Sequence, residues 1–164
     1  MKMSAQEEYG LRCLLRLGRE GAGRSLTIAD LSKQEGISAA NVAKMMRILR
    51  RAGLVRSTRG KEGGYTLAHA PEAINVGEAL AILGGRLFDS RFCERHAGAV
   101  RLCTNTPDCS IRSVWRVIQE LLDGVLGAMT LKDLLRSETE MKAWANPRAI
   151  PLTMLRADAD ARTS

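Results

Sequence analysis

Residues 27–52, TIADLSKQEGISAANVAKMMRILRRA, carry the punctuation that most restricts how this chain can fold. Thr27 and Asp30 have the spacing of a helix cap pair, and Ile28, Ala29 and Leu31 then face inward. Gly36 can take the left-handed conformation that stops a helix. Ile37 follows, and Ser38 is a fresh N-cap for a segment to about Ala52 in which Val42, Met45, Met46 and Leu49 share one face. Two short amphipathic helices joined by so tight a glycine turn are the sequence form of a helix-turn-helix.

The flanks agree with that reading. Residues 4–20 form a helix, with Ser4 and Glu7 as a capping box and Tyr9, Leu11, Cys13, Leu14, Leu15 and Leu17 as a broad apolar stripe. Beyond the third helix, residues 54–58 have a strand pattern, residues 59–64 a turn needing positive φ, and residues 65–68 a returning strand. A basic hairpin in that position is a wing.

Charge separates the chain into two parts. Residues 1–62 hold 13 Lys+Arg against 6 Asp+Glu, whereas residues 63–164 hold 12 of each, so the whole net charge of +7 lies in the first part. That asymmetry points to a polyanion, most simply nucleic acid. Ser38, Asn41 and Lys44, at the start of the third helix, would meet base edges in a major groove. Arg47, Arg50 and Arg51 would lie nearer the phosphates. Arg56 lies on the first wing strand, and Arg59 and Lys61 at the wing tip would reach a minor groove. A solvated helix with a basic exterior is the plain alternative for the third helix alone; the wing and the charge asymmetry weigh against it.

At 164 residues and 45% hydrophobic content the chain is one domain, or one small domain with an extension. It has no apolar run of about 18 residues and no apolar leader at its start, so a cytoplasmic location is expected, with no membrane partner. Thiols are reduced there, and clustered cysteines more often bind metal or do redox chemistry. Two histidines, neither near a plausible nucleophile, give no triad, so an enzyme is not expected.

The segments MKMSAQEEYGLRCLLRL, LTIADLSKQEGISAANVAKMMRILRRAGLVRSTRGKEGGYTLA and INVGEALAIL resemble the iron–sulfur cluster regulators of the Rrf-two superfamily, of the IscR and NsrR types, over residues 1–135. The resemblance implies a homodimeric bacterial winged-helix transcription factor. It implies base-reading positions at Ser38, Asn41 and Lys44 and a minor-groove position at Arg59. Ala40 and Ala43 are small where some relatives place polar readers, so no operator sequence carries over.

Three of the four cysteines, Cys93, Cys103 and Cys109, lie in one loop with gaps of nine and five residues. The resemblance implies five in both gaps, and four extra residues cost a loop little closure entropy. Three thiolates are soft ligands suited to an iron–sulfur cluster, [2Fe-2S] or [4Fe-4S], or to zinc, and a fourth ligand must come from elsewhere. Structural zinc usually pairs two C-x2-C knuckles, absent here. Glu8 matches an acidic position that some relatives donate across the dimer, and it is preferred to His96, inside the loop. Arg112 occupies the place of a histidine ligand in another branch, and arginine cannot ligate. Cys13 reads as a core thiol. A disulfide switch, or a cofactor-free regulator worked by a protein partner, remains the alternative.

Residues 76–83 read as a short helix. Residues 110–129 read as the longest, with apolar rows Ile111/Ile118/Val125, Val114/Leu121/Ala128 and Trp115/Leu122/Met129. Three rows are too wide for one small domain to cover, which points to packing on a twin. The expected architecture is mainly α: residues 1–84 a winged helix-turn-helix DNA-binding domain, 85–109 the cluster-binding cysteine loop, 110–136 a dimerisation helix with a docking helix, and 137–164 a flexible tail. Two such heads about 34 Å apart would read a near-palindromic operator. The expected function is a regulator sensing redox state, nitric oxide or iron.

Overall fold

The computed structural model describes residues 3–21, 24–58, 60, 63–98, 103, 105 and 107–145. Helix α1 (Ala5–Glu20) begins where its capping box predicts: Glu7 N–H donates to Ser4 Oγ at 3.3 Å and Ser4 N–H donates to Glu7 Oε2 at 2.8 Å. Helix α2 (Ile28–Glu35) repeats the device with Thr27 and Asp30. Gly36 leaves α2 in the left-handed region at φ 64°, and Ser32 Oγ donates to the Ile37 carbonyl at 2.7 Å to close the turn. Helix α3 (Ala39–Arg51) follows its Ser38 cap directly.

Strands β1 (Val55–Thr58) and β2 (Gly64–Leu67) pair antiparallel, Val55 opposite Leu67 and Thr58 opposite Gly64. Leu26 adds a single bridge to β2, exchanging hydrogen bonds of 3.0 and 2.8 Å with Tyr65. Glycine is required beside that bridge, because a Cβ on Gly64 would sit 2.7 Å from the Leu26 carbonyl oxygen.

One core joins these pieces to the next helix, α4 (Val76–Gly84), which follows a 3-10 turn at Pro71–Ala73. Cys13, Leu14 and Leu17 of α1 meet Leu31, Val42, Met45, Met46, Leu49, Val55, Ile74, Ala79 and Leu83. The inward face of α3 is the one its periodicity predicts. Helix α1 approaches α4 so closely that a Cβ on Gly10 would lie 2.3 Å from Leu83 Cδ2, inside the packed core. Arg12 Nε and Arg16 Nε donate to the two Glu35 oxygens at 3.1 and 2.9 Å, and Arg12 also donates to the Glu35 carbonyl. The Glu35 side chain is only 10% exposed, so two guanidiniums offset the desolvation of its carboxylate and lock α1 to α2.

Cys13 is the core thiol its apolar stripe predicts. Burial first, then the Glu35 charge, push its pKa from 9.0 up to about 11, against the opposing pull of Arg12. The folded chain therefore binds more protons than the unfolded chain between those values, so this thiol's contribution is intact below pH 9.0 and is lost as pH rises toward about 11. Cys13→Ala is expected to flatten denaturant-measured stability across that alkaline window. In native metal-free protein, iodoacetamide should modify the half-buried Cys93, Cys103 and Cys109 and spare Cys13 until the chain unfolds.

The remaining elements are α5 (Phe92–Arg95), α6 (Ser110–Gly127), α7 (Leu131–Leu134) and α8 (Glu138–Ala145). Helix α8 departs from the expected tail over 137–164: Ser137 and Glu140 cap its start, with Ser137 N–H donating to Glu140 Oε2 at 2.8 Å. Residues 146–164 lie outside those described. Asn75 joins α4 to α6, its Oδ1 accepting the Glu78 N–H at 3.0 Å while its Nδ2 donates to the Gly127 carbonyl at 2.7 Å. The three apolar rows of α6 part company. Met129 and Leu122 lean toward α4, where a Cβ on Gly77 would come within 3.3 Å of Leu126, whereas Ile111, Val114, Val117 and Leu121 stay 61%, 54%, 55% and 41% exposed. No described helix is long and apolar enough to cross a membrane.

Candidate functional site

Helix α3 presents Asn41, Lys44, Arg47, Arg50 and Arg51 to solvent and contains no carboxylate. The buried Val42, Met45, Met46 and Leu49 fix the opposite face, so the cations cannot rotate inward without exposing the core. Ser38 is exposed at the helix start, but its Oγ already accepts the Asn41 N–H at 3.3 Å. It can still donate its own proton outward. Arg56 lies on β1, where its Nε donates across the hairpin to Thr66 Oγ1 at 3.2 Å, and Arg50 reaches Ser57 Oγ at 3.5 Å. These bonds tie the basic helix to the wing. Gly60 takes φ 113° and Gly63 N–H donates to its carbonyl at 2.9 Å, the positive-φ turn predicted for the wing tip. Arg59 and Lys61 lie outside the described residues.

Each thiol of the loop rides on a different piece of chain. Cys93 sits in α5, Cys103 in the connecting loop, and Cys109 is the N-cap of α6, its Sγ accepting the Arg112 N–H at 3.4 Å. Glu8 is exposed in the first turn of α1. Among the described residues, no three His, Cys, Asp or Glu side chains are gathered into a metal-holding group. The donor chemistry nonetheless fits a cluster: three accessible thiols in one loop, unlike the sealed Cys13, can close round a soft metal centre at small entropic cost.

Two features of the loop were not anticipated. Its first part is built: Phe88, Phe92 and His96 form a column in which Phe88 meets Phe92 tilted at 47° with ring centres 5.2 Å apart, and Phe92 stacks on His96 at 4.2 Å. In the same segment Arg95 grips both Asp89 oxygens at 3.0 Å, and those hydrogen bonds hold the Asp89 carboxyl below its usual range. The i, i+4, i+8 spacing of the three rings was the available signal. The second feature is Gln119 of α6, 8% exposed, whose Oε1 accepts the Phe88 N–H at 2.9 Å while its Nε2 donates to Asp123 Oδ1 at 2.8 Å. Arg86 pairs with the other Asp123 oxygen. The root of the loop is thus strapped to α6, and no sequence period marks a glutamine for that role.

A helix-turn-helix with a hairpin wing and a cationic, carboxylate-free reading helix defines the class: a winged-helix DNA-binding transcription regulator. More narrowly, the chain belongs to the Rrf2 family, whose model, described as an iron-dependent transcriptional regulator, matches residues 3–137. Protein rrf2 of Nitratidesulfovibrio vulgaris is 32% identical over 136 residues, covering 83% of this chain and 88% of the relative. Among solved structures, IscR of T. potens is 29% identical with a TM-score of 0.63, covering 82% of this chain and 86% of that one. CymR, the global cysteine regulator of B. subtilis, is 27% identical with a TM-score of 0.64, covering 82% and 96%. The family model and the relative IscR of Klebsiella pneumoniae are named as transcriptional regulators, a non-enzymatic family.

Proposed function

We propose that this protein is a homodimeric cytoplasmic transcription regulator that senses redox state, nitric oxide or iron through an iron–sulfur cluster held by Cys93, Cys103 and Cys109. The observation that carries the DNA half is the exposed row Asn41, Lys44 and Arg47 on the carboxylate-free face of α3. Ser38, Asn41 and Lys44 read bases. Arg47 and Arg56 contact phosphates, and Arg59 with Lys61 enters the minor groove. The exposed apolar edge of α6 packs on its twin and sets the two reading helices about 34 Å apart, one turn of a near-palindromic operator.

Iron and inorganic sulfide supply a redox-active centre when the cluster, [2Fe-2S] or [4Fe-4S], is bound. The chain's residues would supply three thiolates and one harder ligand, for which the sequence offers Glu8 of the second copy first and His96 of the same loop second. A position filled by a weaker ligand would leave a bound cluster most open there to oxygen or nitric oxide. Gain or loss of the cluster would shift the angle between the two readers, and a coupling of about 1–3 kcal/mol would change operator affinity about 5–150-fold.

A second reading has one specific support. The likeness to CymR, named a global cysteine regulator, and the three accessible thiols support a thiol-based regulator switched by a disulfide between two of them. Anaerobic titration of a promoter duplex with Lys44→Ala and Arg47→Ala tests the DNA half. Lys44→Ala is expected to cost about 1–3 kcal/mol on the matched sequence and to relax preference at one base pair; Arg47→Ala should weaken all sequences alike and lower the salt slope by about one. Binding unchanged in both variants would reject this interface.

A further inference from the structure

The loop itself contains a candidate fourth ligand, His96. His96 is the last residue of the turn that carries Cys93, three positions on, the spacing at which side chains on a helical turn are neighbours. Two contacts fix its ring. Its plane stacks on Phe92, with centres 4.2 Å apart and 23° between planes. Its Nδ1 lies 2.8 Å from the Phe92 carbonyl oxygen. A carbonyl can only accept, so Nδ1 must be the protonated nitrogen, and in the neutral ring the lone pair is left on Nε2. A histidine whose Nδ1–H is held by a backbone carbonyl and whose Nε2 is left basic has the outer-shell arrangement of a metal-ligating imidazole. Asp89 and Arg95 brace the same turn, so the ring and Cys93 are presented by a built segment and not by an unstructured loop.

We infer that His96, through Nε2, is the fourth protein ligand of the cluster, so that one chain's Cys93, His96, Cys103 and Cys109 form a complete donor set. This rests on the cluster reading above. Glu8 then keeps the simpler role its place gives it, an exposed carboxylate complementing the amino end of α1. The cluster also becomes internal to one subunit. Its state reaches the dimer helix through the strap from Phe88 N–H to Gln119 and on to Asp123 and Arg86, with no bond across the two-fold axis.

The chain has only two histidines, His69 and His96, which makes the test clean. Protein carrying His69→Asn is labelled with ¹⁵N-histidine, isolated without air, reduced with dithionite and studied by pulsed EPR. A strong nitrogen coupling from a directly bound imidazole is expected. It should be lost in His96→Asn, with a changed visible spectrum, and kept in Glu8→Gln. His96→Cys should hold iron and sulfide at wild-type levels without the coupling. Full iron and sulfide with no nitrogen coupling, or a His96→Asn spectrum identical to wild type, overturns the assignment and leaves the cluster standing. Wild-type protein without iron and sulfide removes the cluster reading and this inference with it, whereas Cys109→Ser protein that keeps both removes Cys109 from the ligand set and overturns the four-residue donor set.

Discussion

Cys109→Ser is expected to strip the protein of iron, inorganic sulfide and visible absorbance while leaving its fold intact. Two roles meet at this residue. Its Sγ caps α6 by accepting the Arg112 N–H, and in the proposed cluster its thiolate would be one of three soft ligands in the loop. Serine is a strong N-cap, so the substitution keeps the first role and removes the second. Alanine removes both, adding a helix penalty of about 0.5–2 kcal/mol. The pair of variants therefore separates a structural from a chemical role: helical circular dichroism and melting should be near wild type for Ser and lowered for Ala, while both lose the cluster. A Ser variant that still carries iron and sulfide would remove Cys109 from the ligand set.

The second large effect concerns α6. Leu121→Asp should convert a dimer to a monomer, read by light scattering, without loss of helical signal. Leu121 is 41% exposed in the single chain, so a charge there costs the isolated fold little. In a two-fold seam the same charge is buried twice with no partner, a penalty on the order of several kcal/mol. Two linked reading heads bind far more tightly than one, so operator affinity should fall about 10²–10⁴-fold. Val114→Asp, 54% exposed and one heptad row partner away, should behave alike. A dimer that survives both substitutions would place the subunit contact elsewhere.

Much of the head was legible because its signals are local. The Ser4/Glu7 and Thr27/Asp30 boxes, the Gly36 turn and the Val42–Met45–Met46–Leu49 face each depend on residues within one or two turns, and each appears as read. Cys13 was legible for the same reason, since its neighbours on α1 are apolar. What escaped is non-local or was read past. Gln119 is buried for the sake of a backbone N–H 31 residues away, which no periodicity records. The column Phe88, Phe92 and His96 has helical spacing, but it lies between stretches without period and looked like loop. Ser137 and Glu140 satisfy the capping rule for α8, yet the nearby prolines drew the whole segment into a tail. The preference for Glu8 over His96 came from family likeness; the stacking and the Nδ1 contact of His96, which only the structure gives, carry the alternative proposed above.

The proposed regulator joins a reading head to a thiol loop, and operator affinity measured with and without the cluster tests that union most directly. Fluorescence anisotropy of one labelled promoter duplex, titrated without air at fixed salt with cluster-loaded and cluster-free wild-type protein, should give affinities about 5–150-fold apart. Equal affinities for the two forms, with both still dimeric, would contradict it.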